Sequence, residues 1–87
     1  MSNGNNKVFP IQVRDRNGLL FDGDVRGVTS YNSKGMFDLL PVHSNFITIL
    51  RKKLVLHKID GSKQEINIDS AIMRVLLNNV EVFVGVR

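Results

Sequence analysis

Two histidines, eight carboxylates and a scatter of serines are the side chains of this chain that could do chemistry. Their spacing does not gather them into a reactive set. A zinc centre needs three or four clustered ligands, commonly two of them close in sequence, whereas His43 and His57 lie on different elements. Asp22 and Asp24 flank Gly23 as in part of a calcium loop, but the remaining ligands are missing and turn chemistry explains them better. Ser30, Ser33, Ser44, Ser62 and Ser70 lack the strand-turn-helix setting of an activated nucleophile, and Ser44 beside His43 is a chain neighbour rather than a triad. Gly23 and Gly27 punctuate strands instead of opening a phosphate-binding helix. Catalysis by this chain alone is therefore not expected, and neither is a metal or cofactor.

Composition narrows the classes further. Cysteine is absent, which removes disulfides and thiolate chemistry. The formal charge is +4 from 12 basic and 8 acidic residues spread along the chain, without the concentration of a nucleic-acid footprint. Arg51-Lys52-Lys53 is the one basic run; between two apolar strands it reads as a solvated loop that discourages edge pairing rather than as a phosphate patch. No apolar run approaches the roughly 20 residues of a bilayer span, and residues 1–8 carry no signal peptide, so a soluble cytoplasmic protein is expected.

The elements that would position these residues are short β-like runs broken by turn residues. Residues 1–7 read as a frayed tail and 8–87 as one domain. Pro10 marks an edge or bulge in the first run, Asn17-Gly18 is a hairpin signal, and Asp22-Gly23-Asp24 reads as a second turn. Gly23 and Gly27 are plausible bulges, Asn32-Ser33-Lys34-Gly35 is a loop, and Asp60-Gly61 and Asn78-Asn79 are tight turns. No amphipathic helix is convincing. The expectation is all-β: a small antiparallel β-sandwich of about eight to ten short strands.

Several runs are apolar on both sides, among them Leu39-Leu40, Phe46-Ile47, Ile49-Leu50, Leu54-Val55-Leu56 and Val82-Phe83-Val84. One set can fill the core and the other then faces outward, where a contiguous apolar patch marks a protein partner. Phe21, Phe37, Phe46 and Phe83 sit among apolar neighbours and are assigned to the core, so no aromatic strand face is offered to nucleic acid.

Gly18-Leu19-Leu20-Phe21-Asp22-Gly23-Asp24-Val25, followed by Gly35-Met36-Phe37-Asp38-Leu39-Leu40-Pro41-Val42-His43-Ser44-Asn45-Phe46, resembles the two signature segments of one family. That family is the N-terminal β-sandwich domain of the F-type ATP synthase epsilon subunit, called delta in mitochondria. Ile66-Asn67-Ile68-Asp69-Ser70-Ala71-Ile72-Met73-Arg74-Val75 and Asn78-Asn79-Val80-Glu81-Val82 are similar to its later segments, so the resemblance covers nearly all of residues 8–86. It implies a non-catalytic central-stalk subunit that links the gamma subunit to the membrane c-ring and supports coupling of proton translocation to ATP synthesis. It implies a peripheral position on the cytoplasmic face of the membrane, or the matrix or stromal face in an organelle. By the same resemblance the contact residues are Tyr31, Asn32, Ser33, Lys34 and Met36, with Pro41, Val42, His43, Ser44 and Asn45, and gamma binds the apolar outer strand face. His43 matches the histidine of the family's Leu-Pro-Gly-His segment; on the residues alone it reads as a loop histidine bonded to local backbone.

The chain departs from the family where Asp38, Val42, Ser70 and Ala71 replace glycines, where Ser44-Asn45 replaces Ala-Pro, and where uncharged Met36 stands at an often acidic position. Relatives continue into a regulatory helical hairpin, whereas this sequence stops at Arg87, so nucleotide affinity is not expected of it. The alternative reading is a free-standing small all-β module that binds another protein or nucleic acid.

Overall fold

A computed structural model describes residues 7–41 and 44–85. They form β1 (Phe9–Asp15), β2 (Gly18–Asn32), β3 (Gly35–Leu39), β4 (Phe46–Lys58), β5 (Lys63–Leu76) and β6 (Asn79–Val84). Period-two patterning drives these strands. In β1, Phe9, Ile11 and Val13 point inward and are fully or almost fully buried, and in β6 Val80 and Val82 do the same. Leu50, Leu54, Leu56, Met73 and Val75 complete the centre of the core from β4 and β5.

The sheet runs β1-β6-β5-β4-β2-β3 and closes on itself where β1 also pairs with β2. Six strands stand where eight to ten short ones were expected, because β2, β4 and β5 are 15, 13 and 14 residues long and each serves two neighbourhoods. The first part of β2 pairs with β1, and the remainder with β4 and β3. β4 and β5 pair on both sides of a register shift between Leu50 and Lys52. A bulge bends a strand without ending it, so one strand passes from one layer of the sandwich to the other while its inward residues stay inward. The sheet is not wholly antiparallel either. β1 and β6 run parallel, Ile11 opposite Val80 through Arg14 opposite Phe83, and so join the two ends of the fold.

Two turn assignments are corrected. Asp22-Gly23-Asp24 lies inside β2 opposite Gln12, Ile11 and Pro10, with both aspartates exposed. Arg51-Lys52-Lys53 is not a loop but part of β4, bulged against β2 between Arg51 and Val55, and Lys52 takes a left-handed φ of 73°. The remaining turn signals hold. Gly18 and Gly61 have φ of 135° and 90°, and the Asp15 carboxylate accepts the Asn17 N–H at 2.8 Å. The last hairpin turns on Leu77 and Asn78, both left-handed at 50° and 67°, one residue earlier than the Asn-Asn pair. A β2–β4 register shift between Val25 and Gly27 places a bulge at the second expected glycine, whereas Gly23 pairs regularly.

Candidate interaction surface

The outward rows of β4, β5 and β6 carry the largest departure from an ordinary solvated surface. Ile49, Ile72 and Phe83 lie opposite one another across the three strands, and Ile47, Arg74 and Glu81 form the next row. Ile47 and Ile49 are 67% and 60% exposed. Phe83, assigned to the core from sequence, is 37% exposed, because β6 turns Val80 and Val82 inward and leaves the alternate position facing water. Phe21, Phe37 and Phe46 do pack against the core. The Arg74 guanidinium bonds to the Glu81 carboxylate within this face, so its polar centre is already partly neutralised. Covering an Ile or Phe side chain fully is worth about 1.5–3 kcal/mol, and three exposed ones on one face give a docking surface its driving force.

The residues expected at the interface border this face unevenly. Tyr31 sits on β2 opposite Met36 of β3 and Arg51 of β4, with the Lys52 ammonium 5.0 Å from its ring centre. Asn32 builds the turn: its Oδ1 accepts the Lys34 N–H at 2.9 Å, and its Nδ2 donates to Thr48 Oγ1 at 3.3 Å. That second bond lays the hairpin tip along β4, so Ser33 shares a shallow cleft with Ile47, Ile49 and Arg51. Lys34 and Met36 are exposed. On the other side, Asn45 Oδ1 accepts the Leu77 N–H at 2.8 Å and shares an apolar groove with Phe46, Ile47 and Leu76. Ser33 and Asn45 therefore flank the same Ile47. Pro41 is half-buried and Ser44 exposed; Val42 and His43 lie outside the described residues.

Sequence reasoning missed three features. Ile72 and the Arg74–Glu81 pair join the apolar face only through the β4–β5–β6 register, which the sequence does not display. Leu76 and Leu77 extend the face at 48% and 75% exposure, and two leucines before an Asn-Asn turn were the available signal. The third feature is a chain across β3, β2 and β4: the Thr29 hydroxyl donates to Asp38 Oδ1 at 2.6 Å and meets His57 Nε2 at 2.8 Å. A hydroxyl has one hydrogen and a carboxylate only accepts, so His57 carries its proton on Nε2 and donates it to Thr29. This polarity is the reverse of a hydrolase relay, where the imidazole must take the hydroxyl proton. The trio fastens three strands beside an open cleft lined by Arg26, Gly27 and Leu40. Among the described residues no group of three or more His, Cys, Asp or Glu could hold a metal ion. No helix there is long and apolar enough to cross a membrane.

Comparison with known proteins agrees with this architecture. Residues 8–86 match the family model described as ATP synthase, Delta/Epsilon chain, beta-sandwich domain. The ATP synthase epsilon chain of Sulfurovum sp. is 33% identical over 70 residues, 79% of this chain and 55% of that protein. The epsilon chain of Nitratiruptor sp. is 29% identical over 75 residues, 85% of this chain and 58% of that one. The chain thus spans little more than half the length of these relatives. Among solved structures, a chain of the Euglena gracilis mitochondrial ATP synthase (OSCP, F1 and c-ring) superposes with a TM-score of 0.81. It is 15% identical, and the match covers 88% of this chain and 50% of that one, so it speaks for the fold alone. A chain of the Tetrahymena thermophila central stalk and c-ring gives 0.68 at 11% identity, covering 86% and 61%. With a match that takes in all six strands, this chain belongs to the ATP synthase delta/epsilon-chain β-sandwich domain family.

Proposed function

We propose that this domain is a non-catalytic central-stalk element of a rotary F-type ATP synthase. It binds the gamma subunit through the outward face of β4, β5 and β6, and it meets the c-ring through the β2–β3 hairpin and the segment between β3 and β4. On this reading it holds the stalk to the ring while proton flow drives ATP synthesis, on the side of the membrane from which the catalytic head projects. The observation that carries the proposal is the exposed Ile47, Ile49 and Phe83, with half-buried Ile72 between Ile49 and Phe83, on one face of a domain of this family. The inverted Thr29–His57 polarity supports a non-catalytic role, since among the described residues it takes away an arrangement that resembles a nucleophile and its base.

The test is direct binding of the purified chain to the purified gamma subunit of the same organism, read by calorimetry. Saturable one-to-one binding is expected, and Ile49→Asp should weaken it about 30-fold, the equivalent of about 2 kcal/mol for a central contact. Full affinity in that variant, or no binding by the parent chain, refutes the assignment of this face.

A further inference from the structure

We infer that the gamma subunit presents a carboxylate opposite Arg14, and that this pair sets how the domain is oriented on the stalk. The inference rests on the stalk reading above and deepens it by naming the partner's chemistry at one position.

Cross-strand register carries the outward row of Ile49, Ile72 and Phe83 onto β1 and β2. Arg14 on β1 lies opposite Phe83 on β6, and Leu19 on β2 lies opposite Arg14. Leu19 is 53% exposed, so a cation stands between two apolar side chains of the outer face. Val13 fills the core just before it, and alternation turns half-buried Arg14 outward. There its Nη2 donates to Gln12 Oε1 at 2.9 Å. That neutral amide engages a fraction of the guanidinium's N–H donors.

The fold treats Arg14 and Arg74 differently. Arg74, in the next row, is paired with Glu81. Among the described residues the ion pairs are this one and Lys53–Glu65, so Arg14 has no carboxylate partner there, although Asp22 lies opposite Gln12. In the free domain water reaches the half-buried Arg14. A partner that covers Phe83 and Leu19 also covers the residue between them and removes that water. A guanidinium buried with a neutral amide as its partner keeps an uncompensated charge, which is strongly unfavourable. A carboxylate from the partner lifts that penalty, because its two oxygens match the guanidinium fork. It also supplies what the apolar rows lack. Apolar burial is non-directional, so Ile47, Ile49 and Phe83 drive docking without fixing rotation about the contact. One bidentate pair, set off to the β1 side, fixes it.

The experiment is calorimetry of the whole chain with the purified gamma subunit of the same organism. Arg14→Gln should weaken binding at least about 30-fold, the loss expected when one member of a covered charge pair is removed. Arg14→Glu should weaken it further, since two carboxylates then face each other, and replacing one Asp or Glu of gamma by Lys should restore that variant's binding. Arg16→Gln, which removes a charge from the exposed β1–β2 turn, should bind like the parent. Replacing the same gamma carboxylate by its amide should match the Arg14→Gln loss. That change leaves this chain untouched, so a folding defect cannot imitate the result. Parent affinity in Arg14→Gln, equal losses in Arg14→Gln and Arg14→Glu, or no gamma carboxylate whose removal matches the loss would each overturn the inference and leave the stalk reading standing. Absence of binding by the parent chain overturns the stalk reading itself, and the inference with it.

Discussion

Removing one hydroxyl from the core should unfold this domain at markedly lower urea. Ser30 is the sole buried polar side chain among the described residues, fully shielded from water, and its Oγ donates to the Lys53 carbonyl at 2.7 Å. Between Thr29 and Tyr31 the β2–β4 register shifts from Val55 to Arg51, so Lys53 has no β2 residue opposite it. The Ser30 hydroxyl supplies the hydrogen bond that the interrupted ladder does not. In Ser30→Ala the part-buried Lys53 carbonyl loses this partner, and stranding such a group costs about 1–3 kcal/mol. A middle value of about 2 kcal/mol lowers the melting temperature of a domain this size by roughly 8–16 °C. The assay is urea and thermal unfolding followed by circular dichroism, with the slope of the urea transition checked for constancy so that the change belongs to the native state. Ser62→Ala, which deletes a hydroxyl bonded to Asp60 in an exposed turn, should move the midpoint far less. A Ser30→Ala midpoint indistinguishable from the parent at unchanged slope would falsify the assignment of Ser30 as the patch in the ladder.

Other perturbations test the remaining links. Leu77 is exposed and left-handed in the β5–β6 turn, so Leu77→Asn should stabilise the domain by about 1 kcal/mol in the same unfolding assay, and unchanged stability would mean the turn carries no strain. The Ser62 hydroxyl and then its amide hold the Asp60 carboxyl below the usual aspartate range. The stabilisation is therefore complete above the ordinary aspartate range and disappears as acid takes the pH through the depressed folded value. Asp60→Asn should flatten that acid limb of a stability profile, and an unaltered limb would refute it. Glu81→Gln should cost less than about 1 kcal/mol in unfolding, since the Arg74 pair is largely solvated, and a larger loss would show that the pair is needed to hold β5 against β6.

The turn residues and the alternating apolar positions were enough to read the class of the fold and most of the hairpins. Asn17-Gly18 and Asp60-Gly61 announce left-handed turns chemically, and the structure puts Gly18 and Gly61 at positive φ. Bulges announce themselves less clearly. Arg51-Lys52-Lys53 is as polar as a loop, and Asp22-Gly23-Asp24 has the composition of a turn, yet both lie within strands because a neighbouring strand supplies their partners. Each such misreading cuts one long strand into two short ones, which is how six strands looked like eight to ten.

The same mechanism explains why the loops of the interaction surface were legible and its centre was not. Tyr31, Asn32, Ser33 and Lys34 stand at a turn that composition marks, whereas Ile72 becomes a neighbour of Ile49 and Phe83 only through pairings that skip many residues of chain. An apolar pair on one strand says that a side must face out, not which strands lie beside it. Phe83 is the clearest case. Its run, Val82-Phe83-Val84, is apolar throughout, so only its register against Ile72 on β5 and Arg14 on β1 decides that Val82 fills the core and Phe83 faces water. The bulge at Lys52 then gives this outward face an end of its own. By bending β4 just after Ile49, it sets the apolar rows on one side of the bend and the Met36–Tyr31–Arg51 row on the other. Straightening that bend would return β5 to strict alternation, which cannot keep both Ile68 and Ala71 facing inward, so the irregularity that separates the two surfaces is also one the core requires.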